Sequence, residues 1–350
     1  MSDPTREGAP VVRELDAAAA PRWDRFVEAH PEATFFHRAG WQRVLERGLG
    51  HAAHFLYAER SGVIEAVLPL AHVRSRLFGN ALVSTPLCVY GGAVARTDDA
   101  RAALEAEACR RAEAMGVDWL ELRHRAPVHP DWPAKREQYA TFRKALDPDP
   151  DANLAAIPRK QRAVIRKGIA HGLTGRVDDD LARFYPVFAE SVRNLGTPVF
   201  PKRYFRELRD VFGDACEILC IEHAGRTVAA VMSFYFRDEV LPYHGGGIRA
   251  ARHLHANDFM YWELMRRAAE RGVRVFDYGR SKVGTGAYDF KRHWGFTPEP
   301  LHYEYHLVRA AAVPDVSPLN PRYRLFIGAW QRLPLPLARL VGPMLARSLG

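Results

Sequence analysis

The chain has 350 residues, of which 47% are hydrophobic and 26% are charged, as expected for a folded protein with room for two domains. No run of about 18 apolar residues is present, which excludes a conventional membrane-spanning helix. The formal net charge of +9 predicts an anionic partner, such as a phosphorylated substrate, RNA or a membrane surface, without choosing among them.

Cysteine usage and the first residues predict the compartment. Residues 1–10 lack the apolar core of a signal peptide and are predicted to be disordered. We therefore expect a cytoplasmic protein, either free or peripheral at the inner face of the membrane. Four cysteines have no disulfide or metal spacing and are expected to be reduced and buried: Cys88, Cys109, Cys216 and Cys220.

The first half of the chain predicts the order α-β-β-β-α-β. Apolar periodicity and terminal glycines define its elements. The sequence DPDPD at 147–151 then interrupts the pattern and predicts a domain boundary near residue 150, giving a first domain of residues 11–150. The predicted elements are helices over Ala20–His30, Gly40–Gly48 and Asp99–Met115, and strands over Phe55–Ala58, Val63–Leu70, Val83–Ala95 (interrupted by a glycine bend) and Trp119–Arg123.

A second domain is predicted over residues 151–312, with the order α-α-α-β-β-β-α-β. Its last helix is predicted to have Asn257 as N-cap. The predicted elements are helices over Asn153–Gly172, Asp180–Leu195, Lys202–Phe212 and Asp258–Arg271, and strands over Cys216–Glu222, Thr227–Phe236, Val240–Gly247 and Val273–Phe276.

The first helix of this second domain is strongly basic. Arg162 and Arg166 lie on one face, Lys167 lies beside them, and no acidic residue occurs between Asp151 and Asp178. Two interpretations remain open. The helix is either a solvated basic surface or a phosphate-binding surface whose planar guanidinium groups contact the ligand.

Polar residues and glycines cluster after the last predicted strand. Asp277, Arg280 and Lys282 follow the strand directly, and the glycine bend 284–286 comes next. Glycine allows a ligand to approach the backbone, so this arrangement at the end of a buried strand predicts a binding site. The alternative is a tight turn with solvated charges.

The sequence GTGAYDFKRHWGF at 284–296 and the basic segment 166–172 resemble the FemAB family, in the branch found with exopolysaccharide and PEP-CTERM/exosortase systems. Family members carry an aromatic-Phe-Lys element before a Gly-Phe pair near the end of their second domain. The resemblance covers residues 153–307 well and the first half loosely. It implies an α/β (α+β) fold with two GNAT-like acyltransferase domains in tandem, the first degenerate, and transfer of an acyl or aminoacyl group to an amine.

The resemblance also implies roles for individual residues. Lys291 matches the lysine that stabilises the tetrahedral oxyanion of the transfer, and Tyr288 is expected to orient the donor or acceptor. Asp277 either accepts a proton or forms a structural ion pair. Substrate-binding roles are expected for Arg162, Arg166, Lys167, Arg280, Lys282, Tyr243 and His244 in the second domain, and for His37, Trp41 and Tyr90 in the first. No metal is needed, and no ligand spacing indicates one.

The donor and acceptor remain open at the level of sequence. The loop 249–257 contains no glycine, unlike the pyrophosphate loop of acyl-CoA enzymes, which weakens the case for an acyl-CoA donor. The FemAB resemblance implies an aminoacyl-tRNA donor instead, and no permanently bound cofactor is expected. The charged helical hairpin of peptidoglycan-bridge enzymes is missing, and the family branch suggests an anionic envelope precursor or saccharide as acceptor. The alternatives are an acyl-CoA-dependent N-acetyltransferase and a non-catalytic GNAT-fold binding protein of the export system. DNA is not an expected partner.

The tail, residues 313–350, combines arginines with large apolar residues and has one acidic residue, Asp315. Pro334, Pro336 and Pro343 exclude a single long helix. The tail either packs on the body of the protein or rests as a basic amphipathic segment on an anionic membrane.

Overall fold

The computed structural model describes residues 8–75, 79–313 and 321–347, and only the backbone of residues 321–325. Most of the predicted disordered start and parts of the tail therefore lie outside the described residues. The strands are β1 (Val11–Glu14), β2 (Ala52–Arg60), β3 (Val63–Ser75), β4 (Gly79–Ser84), β5 (Val94–Ala95), β6 (Trp119–His124), β7 (Ala134–Lys135), β8 (Tyr139–Ala145), β9 (Thr174–Asp178), β10 (Cys216–His223), β11 (Arg226–Phe236), β12 (Glu239–Gly247), β13 (Val275–Asp277), β14 (Ser281–Lys282), β15 (Pro298–Pro300) and β16 (His302–Leu307).

No helix of the described part of the chain is long and apolar enough to cross a membrane. The four cysteines form no disulfide, and all except the half-buried Cys109 are buried, as expected. The α-helices are α1 (Ala20–Ala29), α2 (Gly40–Arg43), α3 (Asp98–Ala114), α4 (Pro150–Ala156), α5 (Arg159–Ala170), α6 (Leu181–Leu195), α7 (Lys202–Phe212), α8 (Ala256–Glu270), α9 (Gly286–His293), α10 (Pro321–Arg332) and α11 (Leu335–Ala346).

The chain divides into two compact units. Unit 1 consists of Met1–Arg136, Leu301–Val316 and Arg347–Gly350, and unit 2 of Glu137–Pro300 and Ser317–Ala346. The division falls after Arg136 instead of near residue 150, because β8 pairs with β13 of the second sheet. Strand β16 likewise joins unit 1, because it pairs with β6 over its whole length.

Unit 1 is built on a mixed sheet in the order β1-β2-β3-β4-β6-β16-β7, with β5 paired to β3. Strands β4 and β6 are parallel, and α3 connects them. Alternate residues of β2 face opposite sides, as the two-residue period of a strand requires. Leu56 packs with Leu104 of α3, whereas the ring of Phe55 stacks on Trp23 of α1 at 5.6 Å on the other side.

The predicted elements of unit 1 are largely present, with one correction. The strand expected over Val83–Ala95 is two strands, β4 and β5. Thr85 and Leu87 in the connection have positive φ angles of 38° and 68°, which a continuous strand cannot accommodate.

Unit 2 is built on a second mixed sheet, in the order β14-β8-β13-β12-β11-β10-β9, with β15 paired to β8. Strands β12 and β13 are parallel and connected through α8, but they pair only at Glu239↔Val275 and Val240↔Phe276. On its other side β12 pairs with β11, and the register shift between Met232 and Ser233 leaves Tyr243 as a β-bulge. A bulge bends its strand and redirects a side chain, and bulges are frequent beside active sites.

The basic helix of unit 2 begins later than predicted. The helix expected over Asn153–Gly172 is broken at Ile157 and Pro158, because Ile157 precedes a proline and adopts an extended conformation. The second part, α5, packs closely on α8: a Cβ built on Gly168 would lie 3.0 Å from Cβ of Phe259. The N-cap of α8 is His255 instead of the predicted Asn257.

The tail packs on unit 2. As the prolines predict, it forms two helices, α10 and α11, separated near Leu333. The indole N–H of Trp330 donates to Thr197 O at 2.9 Å, and a Cβ built on Gly342 would lie 2.7 Å from the backbone N of Val199. Small residues of α11 thus allow close contact with the segment that follows α6.

Candidate active site

Lys291 lies on α9, a short helix that sequence analysis treated as part of a loop. Thr285 caps the helix, and its hydroxyl accepts the N–H of Tyr288 at 3.4 Å. The Lys291 side chain is 8% exposed, and its Nζ donates to Gly279 O at 2.8 Å and Arg280 O at 3.1 Å. An ammonium has three donors; two hold the side chain in place, and the third has no hydrogen-bond partner among the described residues.

The environment of Lys291 shifts its protonation equilibrium. Burial lowers the pKa of Lys291 from its ordinary value of 10.5 to about 7. The charge of Asp277 opposes this effect, and the charge of Arg280 adds to it. The aromatic faces of Phe142 and Tyr278 lie 5.4 Å and 5.6 Å from Nζ and favour the ammonium form. Both protonation states are therefore accessible near neutral pH.

Asp277 fixes the turn that supplies these carbonyl groups. Its buried carboxylate accepts the N–H of Gly279 at 2.8 Å and the hydroxyl of Thr141 at 3.4 Å, and Arg143 Nε lies 3.4 Å away. Of the two roles that the sequence left open, the geometry corresponds to a structural ion pair. A fully buried carboxylate held in this way is poorly placed to take a proton from a substrate.

Three further predicted residues lie beside Lys291. Arg280 stacks its guanidinium over the ring of Tyr139 at 4.8 Å, and Lys282 Nζ lies 5.9 Å from the same ring. Tyr288 on α9 contacts the ring of Phe142, 5.3 Å between centroids. The structure thus places Asp277, Tyr288, Arg280 and Lys282 in one region of unit 2 around Lys291.

The two predicted residues of β12 have different environments. Tyr243 is the bulge residue and is half-buried, whereas His244 is buried among aromatic rings of α6 and α7. The Tyr204 hydroxyl lies 3.1 Å from His244 Nε2, and burial lowers the pKa of His244 to about 3. The assignment of His244 to substrate binding is corrected, because its ring is satisfied inside the core.

The predicted residues of unit 1 also belong to its interior. His37 is buried with Nε2 2.9 Å from Gly92 O, and the indole of Trp41 donates to Phe35 O at 3.1 Å. Tyr90 is buried beside Phe36, with ring centroids 6.1 Å apart. Hydrogen bonding and packing account for these side chains, so their assignment to an acceptor site is corrected.

Two of the three basic residues singled out on α5 are exposed. Arg166 and Lys167 are exposed, and Arg162 is half-buried with Nη1 donating to Ala155 O at 2.6 Å. In the part of the chain that is described, these three residues form no ion pair. His255, at the start of α8, stacks on His171 with centroids 6.1 Å apart, and burial lowers the pKa of His255, which favours its neutral form.

Asp258 is a residue of this region that sequence analysis missed. It accepts a hydrogen bond from the side-chain amide of Gln161, and burial raises its pKa to about 6. The nearby Tyr278 hydroxyl is buried and has no hydrogen-bond partner among the described residues. An acidic residue in the first turn of a helix is ordinary, so no sequence pattern distinguishes this half-buried one.

Metal-binding potential lies elsewhere. Within the described residues, the one group of histidine, cysteine or acidic side chains close enough to hold a metal ion is in unit 1, at Glu105, His124 and His129. Sequence spacing indicates no metal ligands, because the members of this group come from separate elements.

Comparison with solved structures defines the class of fold. The chain is similar to FemX, with a TM-score of 0.65, 14% identity and coverage of 91% of this chain and 100% of that one. It is similar to the C-terminal domain (DUF2156) of a putative lysylphosphatidylglycerol synthetase from Agrobacterium fabrum, with a TM-score of 0.55, 14% identity and coverage of 83% and 92%. A tandem GNAT protein from the clavulanic acid biosynthesis pathway gives a TM-score of 0.53, 14% identity and coverage of 85% and 97%.

The mixed α/β fold with two sheets is thus a tandem GNAT-like fold, as predicted. More particularly, residues 156–292 match the family model described as an acetyltransferase (GNAT) domain. This segment runs from the last residue of α4 to the last turn of α9 and includes Lys291. No curated protein matches the chain significantly.

The lowered pKa of Lys291 predicts a pH dependence of stability. Between pH 7 and the ordinary pKa of 10.5, the unfolded chain binds more protons at this residue than the folded chain does. Stability therefore rises with pH across this window, by up to about 1.4 kcal/mol per pH unit, and this contribution is lost as pH falls toward 7. Urea unfolding between pH 7 and 9.5 should show a smaller rise for Lys291→Met. Replacement of an exposed lysine, Lys160→Met, serves as control. Equal slopes of the unfolding free energy against pH for all three proteins would contradict the lowered pKa of Lys291.

Proposed function

We propose that unit 2 is the catalytic part of a FemAB-like N-acyltransferase that moves an aminoacyl or acyl group to the amine of an envelope or exopolysaccharide precursor. The observation that carries the proposal is the Lys291 ammonium, buried and held by two backbone carbonyl groups. A fixed cation in a site that excludes water is suited to stabilise charge that develops on a carbonyl oxygen.

The proposed reaction requires one displacement at the acyl carbon. The acceptor nitrogen forms a bond to that carbon, and the carbonyl oxygen becomes an oxyanion to which Lys291 donates its remaining N–H. Collapse breaks the ester C–O bond to tRNA, or the thioester C–S bond to CoA, and the amine proton leaves with the alcohol or thiol. Tyr288 and the bulge at Tyr243 are proposed to orient the reactants, and Asp277 positions Lys291 through the Gly279 turn.

The surface features favour an aminoacyl-tRNA donor. The loop before α8 lacks glycine, and Asp258 occupies the first turn of that helix, where a negative charge opposes binding of a pyrophosphate. The exposed basic face of α5 offers an alternative contact for the phosphates of a tRNA. An acyl-CoA donor remains the second candidate, and comparison of thermal protection by aminoacyl-tRNA and by acetyl-CoA separates the two.

The amine acceptor is proposed from the sequence resemblance and the positive charge of the chain. An anionic, saccharide-containing precursor suits the half-buried Arg280 and Lys282. A non-catalytic binding protein of an export system is the competing function. Such a protein would bind its ligand equally well without Lys291, whereas an acyltransferase would lose turnover.

Lys291→Met tests the catalytic proposal, because it keeps the length of the side chain and removes the charge. The single-turnover rate with aminoacyl-tRNA should fall roughly 100-fold or more, the scale observed when one oxyanion donor is lost. Donor affinity should change less, because the stabilised charge is absent from the ground state. Arginine should rescue poorly, since a planar fork does not replace a point charge.

Lys144→Met is the matched control, because Lys144 is a half-buried lysine of the same unit with Nζ 5.9 Å from the Phe296 ring. It should retain the wild-type rate. A folded Lys291→Met protein with near wild-type turnover would remove Lys291 from the mechanism.

The basic face of α5 gives a separate prediction. Arg166→Ala and Arg162→Ala should each weaken aminoacyl-tRNA binding by about 1–3 kcal/mol, with the smaller effect at Arg162, which also serves Ala155 O. The difference in binding free energy between the wild-type chain and each variant should shrink at high salt. Arg226→Ala, an exposed arginine on the β10–β11 hairpin, is the control. Unchanged affinity of both α5 variants at low salt would show that α5 is only a solvated surface.

The outer face of α11 supports a second proposal, peripheral contact with an anionic membrane. Its small residues face unit 2, while Leu337, Leu340 and Met344 are 49%, 71% and 65% exposed. Arginines 332, 339 and 347 of the same segment are also exposed. Large apolar side chains accompanied by cations are the pattern of an interfacial helix.

Removing the apolar side chains should abolish membrane contact without the disruption that truncation of the packed tail would cause. The double variant Leu340→Gln, Met344→Gln should no longer co-sediment with phosphatidylglycerol vesicles, whereas the wild-type chain should. Val63→Gln, which changes an exposed apolar residue of unit 1, is the control. Equal sedimentation of all three proteins, or sedimentation of none, would refute the membrane contact.

A further inference from the structure

Unit 1 contains a buried group of histidine and glutamate side chains that the proposed acyl transfer does not use. Glu105 lies on α3, His124 ends β6, His129 lies on the loop that follows, and Glu304 lies on β16. One ligand atom from each of Glu105, His124 and His129 lies within 4.8 Å of the other two. Residues distant in sequence are thus brought to one point.

Most atoms that face this point have no hydrogen-bond partner among the described residues. His129 Nε2 pairs with a Glu105 oxygen at 3.2 Å, whereas His124 Nε2 lies 3.9 Å from the other Glu105 oxygen and 3.7 Å from Glu304 Oε2. Within the described residues, Glu105 Oε1, His124 Nε2 and Glu304 Oε2 lack a hydrogen bond. Buried polar atoms normally have partners, so three without one in the same place indicate a missing common ligand.

The electrostatics of the group suit a cation. A neutral imidazole offers a lone pair to a metal ion, and a carboxylate offers a negative charge. Two glutamates accompany the two histidines. Arg101 is the nearby cation, and its Nη1 donates to Ala93 O at 2.7 Å.

Surrounding contacts hold the side chains in position. Glu304 Oε1 accepts the N–H groups of Val128 and His129 at 2.9 Å and 3.1 Å, which fixes the loop that carries His129. The His129 ring stacks on Trp132 with centroids 4.0 Å apart. Gly92 leaves room for the His124 ring, because a Cβ there would lie 2.2 Å from Nδ1. Outer contacts of this kind orient the ligands of metal sites.

We propose that Glu105, His124 and His129 bind a divalent first-row transition metal ion such as Zn²⁺, with Glu304 as the fourth ligand or as the partner of a bound water. Two imidazoles with a carboxylate form a donor set that Zn²⁺ and its neighbours prefer, whereas Mg²⁺ prefers oxygen ligands alone. The 21% exposure of the His129 side chain provides an entry path. The bound ion would connect α3, the end of β6, the loop and β16, and so stabilise unit 1.

Co²⁺ is the probe for the test, because its visible absorption reports ligand number and geometry. The full chain, treated with a chelator, should bind one Co²⁺ with the intense absorption of a four- or five-coordinate site. Zn²⁺ should displace it, and excess Mg²⁺ should not. One equivalent of Zn²⁺ should also raise the melting temperature.

Ligand variants decide whether this group is the site. Glu105→Gln and His129→Gln should each weaken Co²⁺ binding by at least about 100-fold, more than the loss of an outer-shell partner causes. The matched control is Glu113→Gln on the same helix, whose carboxylate forms an exposed pair with His306 at 3.1 Å. It should bind Co²⁺ with wild-type affinity.

The proposal is overturned if the wild-type chain shows no saturable binding at one equivalent, or if His129→Gln binds as tightly as wild type. His129 lies on a partly exposed loop, so this variant decides the question even if Glu105→Gln does not fold. If a ligand variant loses Co²⁺ binding but retains aminoacyl transfer, the result still supports the site, because the two functions rest on different units.

Discussion

The arrangement around the candidate site depends on how unit 2 compensates for a buried ammonium. An unpaired charge is too costly to bury, so Lys291 can occupy the interior only because two carbonyl oxygens and two aromatic faces surround it. Those carbonyl groups point at Nζ because Asp277 holds the Gly279 N–H and fixes the turn. The strand end, the turn and α9 therefore form one interdependent group, and a change in any of them alters the charge state of Lys291.

The regular elements of both units could be predicted wherever one face of an element is apolar. Helices α6 and α7 were predicted almost to the residue, and so was the β10–β11 hairpin. Strand pairing could not be predicted, because it joins distant parts of the chain. Nothing local in β8 indicates that it pairs with β13 and belongs to unit 2, nor in β16 that it pairs with β6. Helix α9 was not predicted, because glycines at 284 and 286 are typical of a bend, although Gly286 is the first residue of the helix.

Residues of the candidate site could be predicted where functional residue types cluster in the sequence. They could not be predicted where burial of the side chain decides its role. Lys291, Arg280 and Lys282 are close in sequence and in space; the polar cluster after the strand indicated Arg280 and Lys282, and the resemblance indicated Lys291. Tyr243 and His244 are adjacent, yet one is a half-buried bulge residue and the other is a core residue bonded to Tyr204. The two histidines and two glutamates of unit 1 come from four separate segments, so no spacing pattern could reveal them.

The two sheets place their buried ionisable groups at corresponding positions. Each sheet contains one parallel pair connected through a helix, β4 and β6 through α3 in unit 1, and β12 and β13 through α8 in unit 2. His124 is the last residue of β6, and Asp277 is the last residue of β13.

The carboxyl end of parallel strands is where α/β sheets commonly bind ligands, because the chain leaves the sheet there and the strand ends are open to side chains from the following loop. In unit 2 this position holds Asp277, whose turn orients the carbonyl groups that hold Lys291. In unit 1 the corresponding position holds imidazoles and carboxylates. The repeated architecture thus provides equivalent positions, and the two proposals differ because the side chains placed there differ.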